Sequence, residues 1–461
     1  MLSKLTVALP SIPKLEDLDF AVVRTLDVHE ILIQLIGAPV FSWGAHIENI
    51  YANKVTSSDD FKLWTVHFAK DAKFSDGSPL TAENWYHSIA RTIRAGVGIH
   101  FNPKKDLVGG GHSKDGYCEG LKLEGNQVQL RINEANKNFP RLIGKVEATI
   151  LPIYNDKPYQ LNLIKGSQSG PCIMESYSAE KITLRLNPHF PAHKGRVQFK
   201  EVEIRRMTDA EAFEARIKGG VDFIFPTTPP PSNTRAKLEK SSQVYRDFGH
   251  TYFLGFRNHA RAWLQNVGAR QSLAAILSQA PQLEAFEKTN TLLIGKGFGR
   301  LASGPKFSSQ LQAGDLLSLT LAAVDKPVSR HIVDFLEKSG VSAKVTWVKS
   351  FNELYSESAR KTDAIIGWND FCGEDPYISF YNALNPDRLL WADDDELRKK
   401  LTKIQAIDDA TKKDAAYKEF HKALLESAIV IPIFEQWFDA FANPSLNLKS
   451  MLGSALWTIG G

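Results

Sequence analysis

Short apolar runs recur along the chain at two spacings. Runs that alternate or stay continuously apolar for four to eight residues predict strands over 5–9, 61–68, 121–123, 128–132, 182–186, 202–205, 221–225, 317–323, 341–348, 363–367 and 429–434. Helical spacing predicts helices over 28–36, stopped by Gly37 and Pro39, and from Thr81 onward, where Trp85, Ile89 and Ile93 share a face. Further helices are expected after Asp209 (as N-cap, ending at Gly219-Gly220), over 328–338 (ending at Gly340), over 351–359, and over 396–426 as one amphipathic rod. Asp76-Gly77, after Phe74, is a tight-turn signal, and the proline run 229–231 marks a loop suited to a hinge or domain crossing. Strand–helix–strand units from 317 to 367 imply a parallel sheet with helices on its faces, an α/β protein.

At 461 residues, about three domains are expected, and 43% hydrophobic content supplies more than one core. The longest apolar stretches, 31–40 and 429–434, fall short of the ~20 residues of a spanning helix and are broken by Pro39 and Pro432. A net charge of +4, from 56 basic and 52 acidic residues mixed along the chain, leaves no footprint for nucleic acid. Three cysteines (Cys118, Cys172, Cys372) allow one disulfide with a free thiol or three thiols. The first ten residues lack a basic region followed by a long apolar core. They are read either as a cytosolic start or as that of a mature chain without its signal peptide.

Candidate chemistry is sparse. Gly295-Lys-Gly-Phe-Gly299 lacks the Lys-Ser/Thr ending of a phosphate loop, and Gly109-Gly-Gly-His112 has no strand–helix setting. His189 and His193 have the spacing of a helical ligand pair, but Pro188 and Pro191 forbid a regular helix there. No Gly-x-Ser-x-Gly elbow occurs, and Glu374 and Asp375, being adjacent, point apart and do not face each other as a glycosidase pair must. Asp393-Asp-Asp-Glu396 is the acidic start of the following helix. No cofactor and no metal is expected.

One segment stands out: Asp363-Ala-Ile-Ile-Gly-Trp-Asn-Asp-Phe-Cys-Gly-Glu-Asp-Pro376. An apolar strand runs into Gly367-Trp368 and then into an acidic loop. The carboxyl ends of parallel strands are where such sheets bind ligands, a Trp supplies an apolar wall, and a nearby carboxylate holds an ammonium group. The competing reading makes Trp368 core and Asp370 a loop cap.

That segment, with three others, resembles the family 5 (cluster C) extracellular solute-binding proteins, the dipeptide-, oligopeptide- and nickel-binding components of bacterial ABC importers. The first of the others is Asp59–Trp85 with its Phe-Ser-Asp-Gly-Ser-Pro-Leu-Thr-Ala-Glu-Asn turn and helix. The second is 184–190, a strand into Asn-Pro-His-Phe, followed by 201–225. The third is Tyr252-Phe-Leu-Gly-Phe-Arg-Asn258 with Val267-Gly-Ala-Arg-Gln-Ser-Leu273. The resemblance implies a type II periplasmic-binding-protein fold with two lobes and a hinge. Its three domains would be a discontinuous first (1–37, 165–248, 431–461), an inserted small α/β second (38–164) and a third forming the other lobe (249–430). It further implies that Asp370 pairs with a peptide α-amino group, although it stands two residues after Trp368 where members usually have three; Asp375 is the alternative. Gly367, Asn369 and Phe371 would line the same loop, Phe41, Trp43 and Tyr252 the cleft, and Arg360 would take the position of a carboxylate-holding arginine. Cys372 lies where some members carry a disulfide, with Cys118 or Cys172 as partner left open.

The function expected is therefore a non-enzymatic, monomeric binding protein, periplasmic or lipid-anchored, that delivers a solute, foremost a short peptide, to a membrane-embedded ABC permease. The rivals are the same fold carrying nickel chelate, haem, opine or oligosaccharide, a ligand-sensing domain of a transcriptional regulator, and a hydrolase built on Glu374 and Asp375.

Overall fold

The computed structural model describes residues 4–15, 18–21, 28–41, 49–96, 101–144, 148–153, 166–191, 199–257, 260–292, 303–308, 317–349, 353–354, 356–370, 376–377, 380, 384 and 395–446. The chain divides into two units: Met1–Asp247 with Phe438–Gly461, and Phe248–Trp437.

The first unit contains β1 (Lys4–Leu9), β2 (Ala52–Ser57), β3 (Leu63–Phe68), β4 (Leu121–Glu124), β5 (Gln127–Arg131), β6 (Cys172–Tyr177), β7 (Lys181–Leu186), β8 (Glu201–Arg206) and β9 (Phe223–Ile224). Its main sheet runs β9-β1-β8-β7-β6. β1 is parallel to both neighbours, with Val7 level with Ile204 on one side and Phe223 on the other. Leu5, Val7, Ile182, Leu184, Val202, Ile204 and Phe223 form its core with Leu32, Ile33, Leu35 and Ile36 of the helix Val28–Ile36. The continuous apolar stretch of β1 is explained by this burial on both faces.

A second, antiparallel sheet in this unit runs β2-β3-β5-β4. The helix Ala82–Ala95 packs on it through Trp85, Ile89 and Ile93, all fully buried. Thr81 opens that helix, its N–H donating to Asn84 Oδ1 at 2.8 Å. In the preceding turn Gly77 stands at φ +86°, and Asp76 Oδ1 accepts from the Ser78 N–H at 2.9 Å. The strand expected from residue 61 begins at Leu63, because Phe61 is in the left-handed region at φ +54°.

β10 (Gln243–Phe256) carries the chain from the first unit into the second, which holds β11 (Glu287–Lys288), β12 (Leu317–Val324), β13 (Val341–Val348) and β14 (Ala364–Asp370). β15 (Val430–Ala442) carries the chain back, and Phe441 pairs with Ile224 of β9. The sheet order in the second unit is β13-β12-β14-β10-β15, with β11 on β15. β12, the helix Pro327–Lys338 and β13 form the expected parallel unit, with Leu317 level with Val341. Leu254, Phe256, Leu319, Leu321, Ile332, Leu336 and Ile366 centre its core.

Several expectations need correction. The N-cap of the helix Asp209–Ile217 is Thr208, whose side chain accepts from Glu211 N. Asp209 instead accepts hydrogen bonds from the backbone and hydroxyls of Thr227 and Thr228. The proline run 229–231 leads into the helix Ser232–Ser241 within the first unit; the passages between units lie inside β10 and β15. Of the segment expected as a helix over 351–359, the described residues include helical positions at 353–354 and the turn Glu357–Arg360, with residues 351, 352 and 355 outside those described. The rod over 396–426 is two helices, Asp395–Gln405 and Ala410–Glu426, because the Asp409 side chain caps the second. Cys118 and Cys172 are free thiols, and Cys372 lies outside the described residues, as does His193. Among the described residues no helix is long and apolar enough to cross a membrane.

Candidate functional site

The carboxyl ends of two parallel strands converge in the second unit. β12 and β14 run side by side with Ala323 level with Ile366, so both strands end near Gly367 and Trp368. On its other edge β14 is antiparallel to β10, which sets Tyr252 against Trp368, Thr251 against Asn369 and His250 against Asp370. Asn369 and Asp370 are thus the last two residues of the strand, not the first of a loop: seven residues of β10 pair with β14 and draw its end out past Gly367. That pairing comes from a segment more than a hundred positions away, so local periodicity does not announce it.

Four side chains build a wall at this end. Trp368 lies partly buried on the core of the unit. The His250 ring stacks on it at 5.8 Å and 29°, and the Tyr252 ring meets it at 5.7 Å and 42°. Tyr252 is 2% exposed and continues into the core through Phe286, edge-on at 5.5 Å, while its hydroxyl reaches Gln436 Oε1 at 3.4 Å. Lys326, which follows β12, places its ammonium 4.1 Å from the Trp368 ring centroid. An ammonium over an indole face is a cation–π contact worth about 0.5–2 kcal/mol. Gly367 is small for a reason: a Cβ there would stand 3.2 Å from Phe253 Cζ and 3.1 Å from Ile365 Cδ1.

Of the residues singled out from the sequence, Gly367, Trp368 and Tyr252 come together here, with the backbone of Asn369 and Asp370. Phe371, Asp375 and Trp43 lie outside the described residues, as does Glu374. Phe41 belongs to the first unit, where it bridges Asn49 and is 1% exposed; it is a packing residue there and presents no surface. Arg360 is exposed on the turn preceding β14, so the length of the strand separates it from Trp368, about 3.3 Å for each residue. Its neighbour is Arg257, at the matching end of β10, whose guanidinium is pushed down to about 10 by burial and by the positive charge of Arg360. His250 and Lys326 were not singled out. His250 shares a strand face with Tyr252, two residues on, a signal visible only once β10 is recognised as a strand. Lys326 precedes Pro327, a helix-start signal, but its contact with Trp368 is long-range.

This arrangement can hold a flat or apolar group against an aromatic wall. Among the described residues no three His, Cys, Asp or Glu side chains gather as a metal site.

Comparison with known proteins converges on one group. The model of the bacterial extracellular solute-binding proteins, family 5 middle region, matches residues 46–279. The probable D,D-dipeptide-binding periplasmic protein of Escherichia coli (strain K12) is 21% identical over 444 residues, covering 86% of this chain and 81% of that protein. The murein tripeptide binding protein of Escherichia coli superposes with a TM-score of 0.72 at 17% identity, covering 100% of this chain and 98% of that one. NikA of Brucella suis, solved in complex with Fe(III)-EDTA, gives 0.69 at 15% identity, with 99% of each chain covered. The fold is that of the type II periplasmic binding proteins. With more than half of its length inside the family match, the chain belongs to the bacterial extracellular solute-binding proteins of family 5.

Proposed function

We propose that this solute-binding protein takes up a short peptide in the periplasm, or while anchored at the cell surface, and delivers it as a monomer to a membrane-embedded ABC permease without chemical turnover. The observation that carries this reading is the end of β14: an indole wall flanked by Tyr252 and His250 runs directly into Asn369-Asp370. A carboxylate in the sequence at that point is suited to a peptide ammonium, since a charge-assisted hydrogen bond is about twice as strong as a neutral one. The names of the dipeptide- and tripeptide-binding relatives support the same substrate class.

Isothermal titration with di- to pentapeptides tests it. Saturable heat with the peptides is expected, together with a 10- to 100-fold weaker Kd in Asp370→Ala, which removes one partner of the pair. Absence of heat and of any thermal shift with every peptide length would overturn the peptide reading, and an unchanged Kd in Asp370→Ala would overturn the role of Asp370.

A second reading, a metal chelate as cargo, draws on His250, an imidazole lying against the same indole. Heat with Fe(III)-EDTA and none with peptides would favour it.

A further inference from the structure

The proline run 229–231 stands at the carboxyl edge of the first unit's main sheet. β1 is parallel to both β8 and β9, so the segments after all three strands emerge at the same edge: Pro10-Ser11 after β1, Met207-Thr208 after β8 and Phe225–Pro231 after β9. The carboxyl ends of parallel strands are where such sheets meet their ligands.

The conformation of this segment is set by its composition. Each proline fixes its own φ, and a residue that precedes a proline is driven out of the helical region. Thr228, Pro229 and Pro230 all precede prolines, so the run is held as polyproline II, and Pro231 stands at φ −54° and ψ 147°. Asp209 fixes the other end. Its carboxylate accepts from the N–H and hydroxyl of Thr227 at 3.1 and 3.0 Å, and from those of Thr228 at 2.8 and 2.6 Å. Thr208 caps the helix that begins there, so the Asp209 carboxylate serves the loop.

One side of the segment anchors it and the other is presented to solvent. Pro226 and Pro230 are buried, whereas Thr227, Thr228, Pro229 and Pro231 are exposed. Entry into the helix Ser232–Ser241 is made at Pro231, whose carbonyl accepts from Arg235 N at 2.8 Å; the exposed ring of Pro229 lies outside that turn.

We propose that Thr227–Pro231 is a docking element for the membrane-embedded ABC permease, seated as a preformed polyproline strand in an aromatic-lined groove of that permease. The proposal rests on the reading of this chain as the delivering component of an importer. A solute leaves from the carboxyl edge of the sheet, so the permease that receives it meets the surface beside that edge. A segment already fixed by its prolines and by Asp209 loses little conformational entropy on association, which suits a contact made and broken at every delivery. Exposed proline rings in polyproline II geometry are the surface that aromatic grooves recognise.

The test uses the full chain with the ABC permease of its source organism in lipid nanodiscs and proteoliposomes. A photoreactive benzoylphenylalanine in place of Pro229 should cross-link to a permease subunit, and one in place of Glu124, exposed on β4, should not. Pro229→Ser combined with Pro231→Ser, the latter still able to cap the helix, should lower peptide uptake about tenfold at unchanged peptide Kd. Asp209→Ala, which loosens the segment and leaves its surface intact, should lower uptake about threefold. Thermal midpoints within a few degrees of wild type keep these losses to docking. Equal cross-linking at both positions, or uptake unchanged in the double variant, would overturn the proposal. So would a peptide Kd weakened in step with uptake, because the segment would then be a solute contact. If wild type neither binds nor imports peptides, the peptide reading fails on its own, and the cross-link then judges the docking. A permease adduct at Pro229 and none at Glu124 supports it, and no adduct at Pro229 overturns it.

Discussion

Glu203 sits at the middle of β8, its side chain 8% exposed, with Lys4, Arg205 and Lys181 around it. Burial works against its ionised form, yet hydrogen bonds from Lys4 and Arg205 and their positive charges outweigh that and hold its carboxyl below the ordinary value. Because the folded protein binds this proton less readily than the unfolded chain, the stabilisation is complete above the unfolded carboxyl range, roughly 4.3, and is lost as pH falls through the lower folded value. Glu203→Gln should therefore cost about 1–2 kcal/mol at pH 7, the partners being about a third exposed, and the gap to wild type should close on acidification. Urea denaturation at a series of pH values from 7 to 3 checks this; a gap independent of pH would show that the ion pairs are not its source. At this scale the site was partly legible. Gly367-Trp368 announces itself by an apolar run ending in a large aromatic, whereas Tyr252 is marked only by the family resemblance of the segment Tyr252–Asn258. His250 and Lys326 do not announce themselves, because what makes them matter is a contact across strands, and nothing in their own neighbourhoods encodes it.

Helix ends and strand ends were legible wherever the signal is local. Thr81 opens its helix as expected, and the unit from β12 to β13 follows directly from two apolar runs around a 3.6-residue period. The rod expected over 396–426 failed for a local reason that periodicity overrides: apolar spacing continues across 406–409, but Asp409 caps a new helix there, its Oδ1 accepting from Lys412 N at 2.8 Å. Asp409→Ala should cost about 1 kcal/mol, and Asp409→Asn or Ser, which can still cap, only a few tenths. Chemical denaturation resolves the difference; equal losses for all three would mean that the cap does not hold this helix start. β14 failed for the opposite reason. Its last residues are polar, and only pairing with β10 keeps them extended.

No local signal at all reports how the first unit closes. Ala8 of β1, Ala212, Phe213, Val221, Ile224 and Leu238 of the middle segment, and Phe441 at the end of β15 form one buried cluster. Asp222 ties the same three stretches with polar groups: it accepts from Thr6 N at 2.9 Å and from Asn443 Nδ2 at 3.1 Å, while its carbonyl accepts from Asn443 N at 2.7 Å. The unit is thus completed only when the chain returns from its far end. Pairings so distant in sequence carry a large loop-closure cost, which lowers the folding rate more than the stability. The last strand contributes Ala440, Phe441 and Ala442, all at 0% exposure, so removing the Phe441 ring leaves a cavity between elements that cannot collapse onto one another without breaking the β15–β9 pairing. Phe441→Ala should therefore cost about 3–5 kcal/mol, whereas Phe441→Leu, which keeps most of the volume, should stay below about 1.5 kcal/mol. Urea denaturation followed by far-ultraviolet circular dichroism measures both. A loss under 1 kcal/mol for the alanine variant would mean that the first unit holds together without its C-terminal strand, and that the long return of the chain serves something other than closing this core.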